Sequence, residues 1–397
     1  MRIAVVNSFF PPRVGGSAHL SNALAEAYVR VGHDVSVLTA AYRDAPAFEE
    51  RDGLRIHRLP AAIMREVRYL SVSFDIAFTL RPSVGRRVAA ILDDFGPDVL
   101  HQHGQFFDLT WVTGLWARRR QVPVLLSVHT RLESPSIPYA IAFRLLDKGI
   151  VAPTMRRYRP RFVVMDTHMD SYIRSRYRRG IGGLESIPVG VHAERLATGD
   201  ASIVRDRHGL GERPVILSIG HVIPLRNRIA LVESLPGVRQ AIPDVRLVVV
   251  GHVYSDAFLQ RARQLGVDDL IVTTDAVPST DIPHYLAAAA VESHDLQGYG
   301  LGTASLESMG AGVPVVAAVR PDNFPGIDLV SGENCWLVPV GDAAALGRAL
   351  IGAITDEAAR NRVSAKGRAL VLEHFTMDTV LSRHLEVLNE MVKTARE

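Results

Sequence analysis

Cysteine is almost absent: Cys335 is the single one in 397 residues. An internal disulfide framework is therefore excluded, a cysteine-based zinc site is disfavoured, and Cys335 is expected to be a packing residue. No apolar run approaches the ~20 residues of a membrane span. The opening Met-Arg-Ile-Ala-Val-Val-Asn enters a strand directly, without the apolar core and cleavage site of a signal peptide. A cytoplasmic protein is expected, with peripheral membrane contact as the one addition. Neither an Asp-x-Asp pair nor a histidine cluster at ligand spacing occurs, so no metal and no bound cofactor are expected. Excess charge of one sign is small too, the net value being +3, and aromatic residues make up only 7%. They are not interleaved with the basic residues as base stacking requires, so no nucleic-acid partner is expected.

What the chain does have is apolar content, 47% of 397 residues, enough to bury the two cores that this length implies. Its arginines are unevenly spread. Arg118–Arg120, then Arg156, Arg157, Arg159 and Arg161, then Arg174, Arg176, Arg178 and Arg179 crowd one part of the first half. They read either as solvated helix faces or as a basic surface for an anionic membrane or a phosphorylated acceptor.

Residues 297–316 combine a glycine-rich turn, a helix and a strand. Gly298, Gly300 and Gly302 allow positive φ and close approach of the backbone to a ligand. The spacing predicts a helix over Thr303–Met309, with Leu306 and Met309 facing inward. The free amides of Gly302, Thr303 and Ala304 would form a positive helix end suited to phosphate. Glu307, one turn deeper on the face of Thr303, could accept two hydrogen bonds from a vicinal diol such as a ribose. Gly310 and Gly312 end the helix, and Val313–Ala317 reads as the next strand of a parallel sheet.

The first half opens with strand 3–7, a loop carrying Gly15 and Gly16, a helix 18–31 and a strand 35–39, which is a βαβ unit. The Gly15-Gly16 pair does not match Gly-x-Gly-x-x-Gly, so a nicotinamide enzyme is disfavoured. Strand 99–102 ends at His103, with His101 expected half buried behind it. Ligands of open parallel sheets collect at carboxyl strand ends, so His103 is either a satisfied structural group or a site residue. Strand 122–127 leads to His129, and 138–159 reads as helix. In the second half, strand 214–219 runs into the basic loop His221–Arg228, where a cation would neutralise a diphosphate. Strand 291–295 carries Glu292, His294 and Asp295 into a buried setting. They either pair with one another or supply a ligand contact.

Taken together, these motifs resemble the retaining glycosyltransferases of family 4. Gly302 takes the signature glycine, Leu301 the phenylalanine and Glu307 the second acid, while Tyr299 stands where the family has its first acid. Pro11-Pro12-x-x-Gly15-Gly16 matches the family's first loop, which implies that Gly16 lies against the donor diphosphate. The resemblance places His103 near the donor's sugar. At the basic loop His221 stands in the family's arginine position and Arg226 in that of the lysine, with Arg228 close by. The segment Val277-Pro278 would lie along the base, and Ser186–His192 resembles the interdomain linker.

The fold implied is α/β of the GT-B type, two doubly wound Rossmann-like domains facing across a cleft. The domains expected are 1–192 on the acceptor side and 193–375 on the nucleotide-sugar side, with helix 376–397 returning to the first. The activity implied is retaining transfer of a sugar from a UDP- or GDP-sugar to a hydroxyl of a lipid, glycan or small molecule. His103, Arg226 and Glu307 would be catalytic. Gly16, His221, Arg226, Arg228, Gly302, Thr303 and Ala304 would hold the diphosphate, Glu307 the ribose, and Tyr299, Gly300, Leu301 and His103 the sugar. Another nucleotide-sugar enzyme on the same fold, an epimerase or a synthase, and a catalytically impaired nucleotide-sugar-binding protein are the alternatives.

Overall fold

The computed structural model describes the chain except residues 14, 65–75, 80, 134–136, 224, 225, 227 and 299, and except the side chains of 63, 64 and 76–78. Tyr299 thus lies outside the described residues. The chain divides into two compact units, unit 1 comprising Met1–Pro188 and Leu381–Glu397, and unit 2 comprising Val189–Val380.

Unit 1 contains β1 (Arg2–Asn7), β2 (Asp34–Ala40), β3 (Phe48–Arg51), β4 (Leu54–Leu59), β5 (Ala62–Met64), β6 (Ile76–Phe78), β7 (Val99–His103), β8 (Val124–Ser127), β9 (Arg161–Val164) and β10 (Gly183–Ser186). Eight of them form one sheet in the order β10-β9-β8-β7-β1-β2-β4-β3, parallel except at β3, and β5 and β6 form a separate antiparallel pair. Central strands are apolar runs because helices cover both faces of a parallel sheet. All five residues of β7 are buried, including His101, which is not half buried as expected. Its position in mid-sheet is the reason. Tyr28 OH lies 3.0 Å from His101 Nδ1 and Ser127 Oγ 2.8 Å from Nε2, so both ring nitrogens find partners away from water.

The helix expected over 138–159 is two helices, Ile137–Leu146 and Ala152–Tyr158, joined by a π-helical turn over Asp147–Val151. Asp147 is buried in that turn, where its carboxylate accepts from Tyr177 OH at 2.5 Å. Asp166 caps the following helix, Thr167–Tyr177, by accepting from the Met169 amide at 2.6 Å.

Unit 2 contains β11 (Val215–Ile219), β12 (Arg246–Val250), β13 (Ile271–Thr273), β14 (Val291–His294), β15 (Val315–Ala317) and β16 (Trp336–Leu337). They pair in parallel in the order β13-β12-β11-β14-β15-β16. Alternation along the strands builds a core on each face. Ile216, Leu247 and Val249 point into one apolar cluster, and Leu217, Val248 and Val250 into the other.

The strand order of each sheet reverses once, about β1 and β7 in unit 1 and about β11 and β14 in unit 2. The loops leaving such a neighbouring pair run to opposite faces, which opens a crevice at their carboxyl ends. The loop after β11 is held low by close backbone approach. A Cβ on Gly251, whose φ is +136°, would sit 2.5 Å from the Gly220 carbonyl oxygen, and one on Gly220, φ +119°, would collide with the Arg226 guanidinium.

The last helix, Met377–Arg396, starts in unit 2 and continues into unit 1. There Glu390 binds Arg161 at 3.0 Å and Arg396 binds Asp98 at 2.9 Å.

Candidate functional site

In unit 2 the crevice between β11 and β14 holds the basic loop. A small pocket is lined by Ser218, Arg226, Arg228, Ser293, His294 and Asp295, among others. Arg228 is buried and fixed. Its Nε donates to Ser218 Oγ at 3.0 Å and an Nη to the Gly220 carbonyl at 2.7 Å. Burial, followed by the neighbouring Arg226 charge, pushes Arg228 down to about 10. Arg226 is lowered by burial too and, among the described residues, reaches only the Ile219 carbonyl, at 3.4 Å. Two incompletely solvated guanidinium groups side by side form a strong anion site, because an anion supplies the partner that water does not.

His221 is uncharged beside the two arginines. Its Nδ1 accepts the His252 amide at 3.1 Å, and burial and the Arg226 charge lower its pKa, so the ring is neutral at pH 7. His252 in turn binds Asp275 at 2.6 Å. This chain leads toward Val277 and Pro278, the expected base segment, where Val277 packs partly buried with Leu196 and Tyr285.

Across the crevice the helix Thr303–Gly310 begins at Gly302. Gly298 and Gly300 take positive φ, +76° and +142°, as the turn demands, whereas Gly302 is extended at φ −75°. Glycine is needed at 302 for another reason, since a Cβ would lie 2.8 Å from His294 Cε1. The Gly302 amide is not free as expected: it donates to His294 Nε2 at 3.1 Å. The amides of Thr303 and Ala304 have no acceptor among the described residues. Thr303 is exposed, and Leu301 is buried with Leu306 and Met309.

Glu307 is partly buried, has no hydrogen-bond partner among the described residues, and is raised to about 7 by burial against a weaker opposing pull from Arg195. A carboxylate held in this way gains from hydroxyl donors. Glu292, His294 and Asp295 do not form a set of pairs. Glu292 accepts from Ser305 Oγ at 3.0 Å, His294 Nδ1 stays 4.0 Å from Glu292, and Asp295 accepts the Gln297 amide at 2.5 Å.

In unit 1, Gly16 opens the helix Gly16–Arg30 beyond β1, and a Cβ on Gly15 or Gly16 would meet nothing within 4 Å. His103 closes β7, and its Nδ1 lies 2.9 Å from His129 Nε2 with the two rings stacked at 5.1 Å. His103 Nε2 is buried without a partner among the described residues. The ring of His101 lies 4.3 Å from that of His103 and 5.3 Å from that of His384.

Sequence reasoning missed Ser218 beneath Arg228, Ser305 beneath Glu292, and the contact of His129 with His103. Only the last had a signal, since His103 ends β7 and His129 lies just past the end of the neighbouring parallel strand β8.

Two parallel-sheet α/β units, with phosphate-type determinants at a switch point, define a GT-B glycosyltransferase. Residues 15–179 match the Glycosyl transferase 4-like domain and residues 213–356 the Glycosyl transferases group 1 family, and the chain belongs to this family of enzymes. It is 26% identical over 401 residues to the GDP-mannose-dependent alpha-(1-6)-phosphatidylinositol monomannoside mannosyltransferase of Mycolicibacterium smegmatis, with 97% of each chain covered. It is also 26% identical over 401 residues to the phosphatidyl-myo-inositol mannosyltransferase of Mycobacterium leprae, covering 98% of this chain and 96% of that one. The fold matches that of Anabaena HepE, solved in complex with UDP and glucose, at a TM-score of 0.74 and 18% identity over 98% of this chain and 100% of that one. The protein is a glycosyltransferase that uses a nucleotide sugar.

His101 and His103 are both fully buried, and burial first, then neighbouring histidines, lowers each well below 6.5. The unfolded chain takes up protons near pH 6.5 that these two folded histidines refuse, so their contribution to stability is full above that pH and falls below it. The expected loss is ~1.4 kcal/mol per histidine for each pH unit. Urea unfolding at pH 7.5 and 5.5 should show a change in stability that is about 1.4 kcal/mol less unfavourable to the acid side in His103→Gln than in the wild type. The same pH dependence in both would contradict a neutral buried His103.

Proposed function

We propose that the enzyme transfers a hexosyl group, with retention of anomeric configuration, from a GDP-linked hexose to a hydroxyl of a lipid acceptor. One observation carries the donor half. Arg226, Arg228, the amides of Thr303 and Ala304 and the carboxylate of Glu307, the last three without partners among the described residues, all belong to elements that meet at the β11–β14 switch point of unit 2. The arginines and the helix end suit a diphosphate, and Glu307 suits the ribose diol. The guanine base is inferred from the GDP-mannose dependence named for the Mycolicibacterium relative.

In this scheme the departing phosphate takes the acceptor's proton, and the protein stabilises the charge growing on the diphosphate. Removing one such donor costs ~3 kcal/mol in the transition state, by analogy with oxyanion donors. The family resemblance assigns Gly16 to the diphosphate, and Gly300, Leu301 and His103 to the sugar. His103, kept neutral, would accept or donate a hydrogen bond there without placing a charge. His221, neutral as well, contributes a hydrogen bond at most, and no metal is required.

A lipid acceptor is supported by the phosphatidylinositol substrates in the names of both mycobacterial relatives and by one surface of unit 1. The helix Ile137–Leu146 has no buried residue, and Ile137, Ile141 and Leu145 are 74%, 55% and 67% exposed. Spaced four apart, they form one apolar stripe. Arg144, Lys148, Arg156 and Arg157, all exposed, lie on the same stretch of chain. An apolar stripe flanked by cations suits an anionic membrane surface. Arg161 does not share this role, being committed to Glu185 and Glu390. No helix among the described residues is long and apolar enough to cross a membrane.

Calorimetry with GDP, UDP, ADP and dTDP tests the donor half. GDP should bind most tightly, and Glu307→Ala should weaken it roughly 10- to 100-fold, the worth of charge-assisted hydrogen bonds. Equal binding by the variant would remove the ribose assignment, and a preference for UDP would overturn the base. Flotation with phosphatidylinositol-containing vesicles tests the acceptor half. Ile141→Ser with Leu145→Ser should reduce the bound fraction about tenfold or more, given the apolar area withdrawn. Unchanged flotation would contradict membrane docking by this helix.

A further inference from the structure

Beneath the pocket of unit 2 stands a carboxylate with no charged group at ion-pair distance among the described residues, its one such neighbour being the neutral ring of His294. Glu292 is 0% exposed. Its Oε2 accepts from Ser305 Oγ, and its Oε1 has no hydrogen-bond partner among the described residues. His294 Nδ1, at 4.0 Å from Oε1, is beyond hydrogen-bond reach. The neighbouring strands offer only Leu217 on β11 and Val315 on β15 opposite it, and the helix Thr303–Gly310 offers Ser305. The charges that act on it are those of Arg226 and Arg228, from the loop after β11.

A role in packing does not explain this residue. A buried carboxylate with half its acceptor capacity unused is expensive, and an apolar side chain of the same volume fills such a place better. Its surroundings change when the pocket fills, and here the inference rests on the diphosphate reading given above. In the empty pocket two guanidinium charges offset one carboxylate. A bound diphosphate neutralises those guanidinium groups and brings further negative charge close to Glu292. The ionised carboxylate then loses its support, and Oε1 is the atom with a free lone pair to protonate.

We propose that Glu292 couples donor binding to proton uptake: when a nucleoside diphosphate occupies the Arg226–Arg228 pocket, one proton from solvent adds to Glu292 Oε1, and it leaves when the diphosphate leaves. Only the O–H bond forms and breaks. Burial raises the carboxyl to about 8 in the empty protein, with Ser305, Arg228 and Arg226 pulling against it. The carboxyl is thus mostly protonated before binding at pH 6.5 and mostly ionised at pH 8.5. Uptake by Glu292 is therefore confined to the alkaline side, and its contribution to nucleotide affinity falls as pH rises through this range. His294, lowered to about 4 by burial, and His221, also lowered, stay neutral over these pH values and take up nothing, whereas Glu307, raised to about 7, releases a proton to bind the ribose on the acid side, in wild type and Glu292→Gln alike.

Calorimetry of GDP and UDP binding at pH 6.5 and 8.5, in buffers of different ionisation enthalpy, counts the protons. Relative to Glu292→Gln, the wild type should take up almost no extra proton at pH 6.5 and more than half a proton more at pH 8.5, and the ratio of its affinity to the variant's should be lower at pH 8.5 by roughly fourfold, the factor set by one group titrating at about 8. Glu292→Gln should show no uptake at pH 8.5. Ser305→Ala retains the carboxyl but removes its donor, which favours the protonated form, so uptake at pH 8.5 should shrink and move to higher pH. Binding without buffer-dependent enthalpy, the same uptake in Glu292→Gln, or an unshifted profile in Ser305→Ala would overturn the coupling while leaving the diphosphate reading intact. Failure of both nucleotides to bind the wild type would overturn that reading together with this inference.

Discussion

The reversal of strand order in each parallel sheet is the constraint on which the rest of the structure depends. Crossover connections cover both faces of a parallel sheet, but where the order reverses the two outgoing loops diverge and leave the strand ends beneath them open. In unit 2 this happens between β11 and β14, and the loop of Arg226 and Arg228 and the turn before Thr303 are the two loops concerned. In unit 1 it happens between β1 and β7, and those strands deliver Gly16 and His103. Each determinant of the chemistry is a consequence of this topology combined with a local choice of residue. Gly251 and Gly220 illustrate the local part: only glycine tolerates their φ and the backbone approach that brings the basic loop down onto the strand ends.

Polar groups within the sheets are the second theme. β14 carries Glu-Ser-His where a buried strand would ordinarily be apolar, and each group ties the strand to its surroundings. Ser293 accepts from Ser218, which carries Arg228, while Glu292 holds Ser305 and His294 holds the Gly302 amide. The strand thus sets the positions of both the cations and the helix end. One helix amide is lost to the phosphate in exchange, and a carboxylate is left in a low-dielectric setting where its charge depends on what fills the pocket. β7 repeats the pattern with His101, Gln102 and His103 buried in mid-sheet and partnered from neighbouring elements.

Much of this was legible from residues alone. The apolar runs of β1, β11 and β12 mark buried parallel strands, Gly-rich turns mark the loops, and the spacing from Thr303 to Met309 gives the helix and the facing of Glu307. What escaped depends on partners distant in sequence. The neutral state of His221 comes from burial and the Arg226 charge, and its Nδ1 is taken by the amide of His252, thirty-one residues on. Burial of His101 depends on Tyr28 and Ser127, and the loss of the Gly302 amide on a His294 rotamer. β3, β10 and β16 are short edge or near-edge strands with polar or mixed residues, so no alternation announces them. The π-helical turn over Asp147–Val151 runs into Pro153, which has no amide to donate, and its buried Asp147 is held by the distant Tyr177 hydroxyl.

In the proposed scheme one crevice in unit 2 holds the donor's diphosphate between the arginine loop and the end of the Thr303–Gly310 helix. A crystal structure of the protein with GDP is the decisive test. Phosphate oxygens should lie within hydrogen-bond distance of Arg226 and of the Thr303 or Ala304 amide, and ribose hydroxyls on Glu307. A nucleotide bound elsewhere, or bound in this crevice with its ribose away from Glu307, would contradict it.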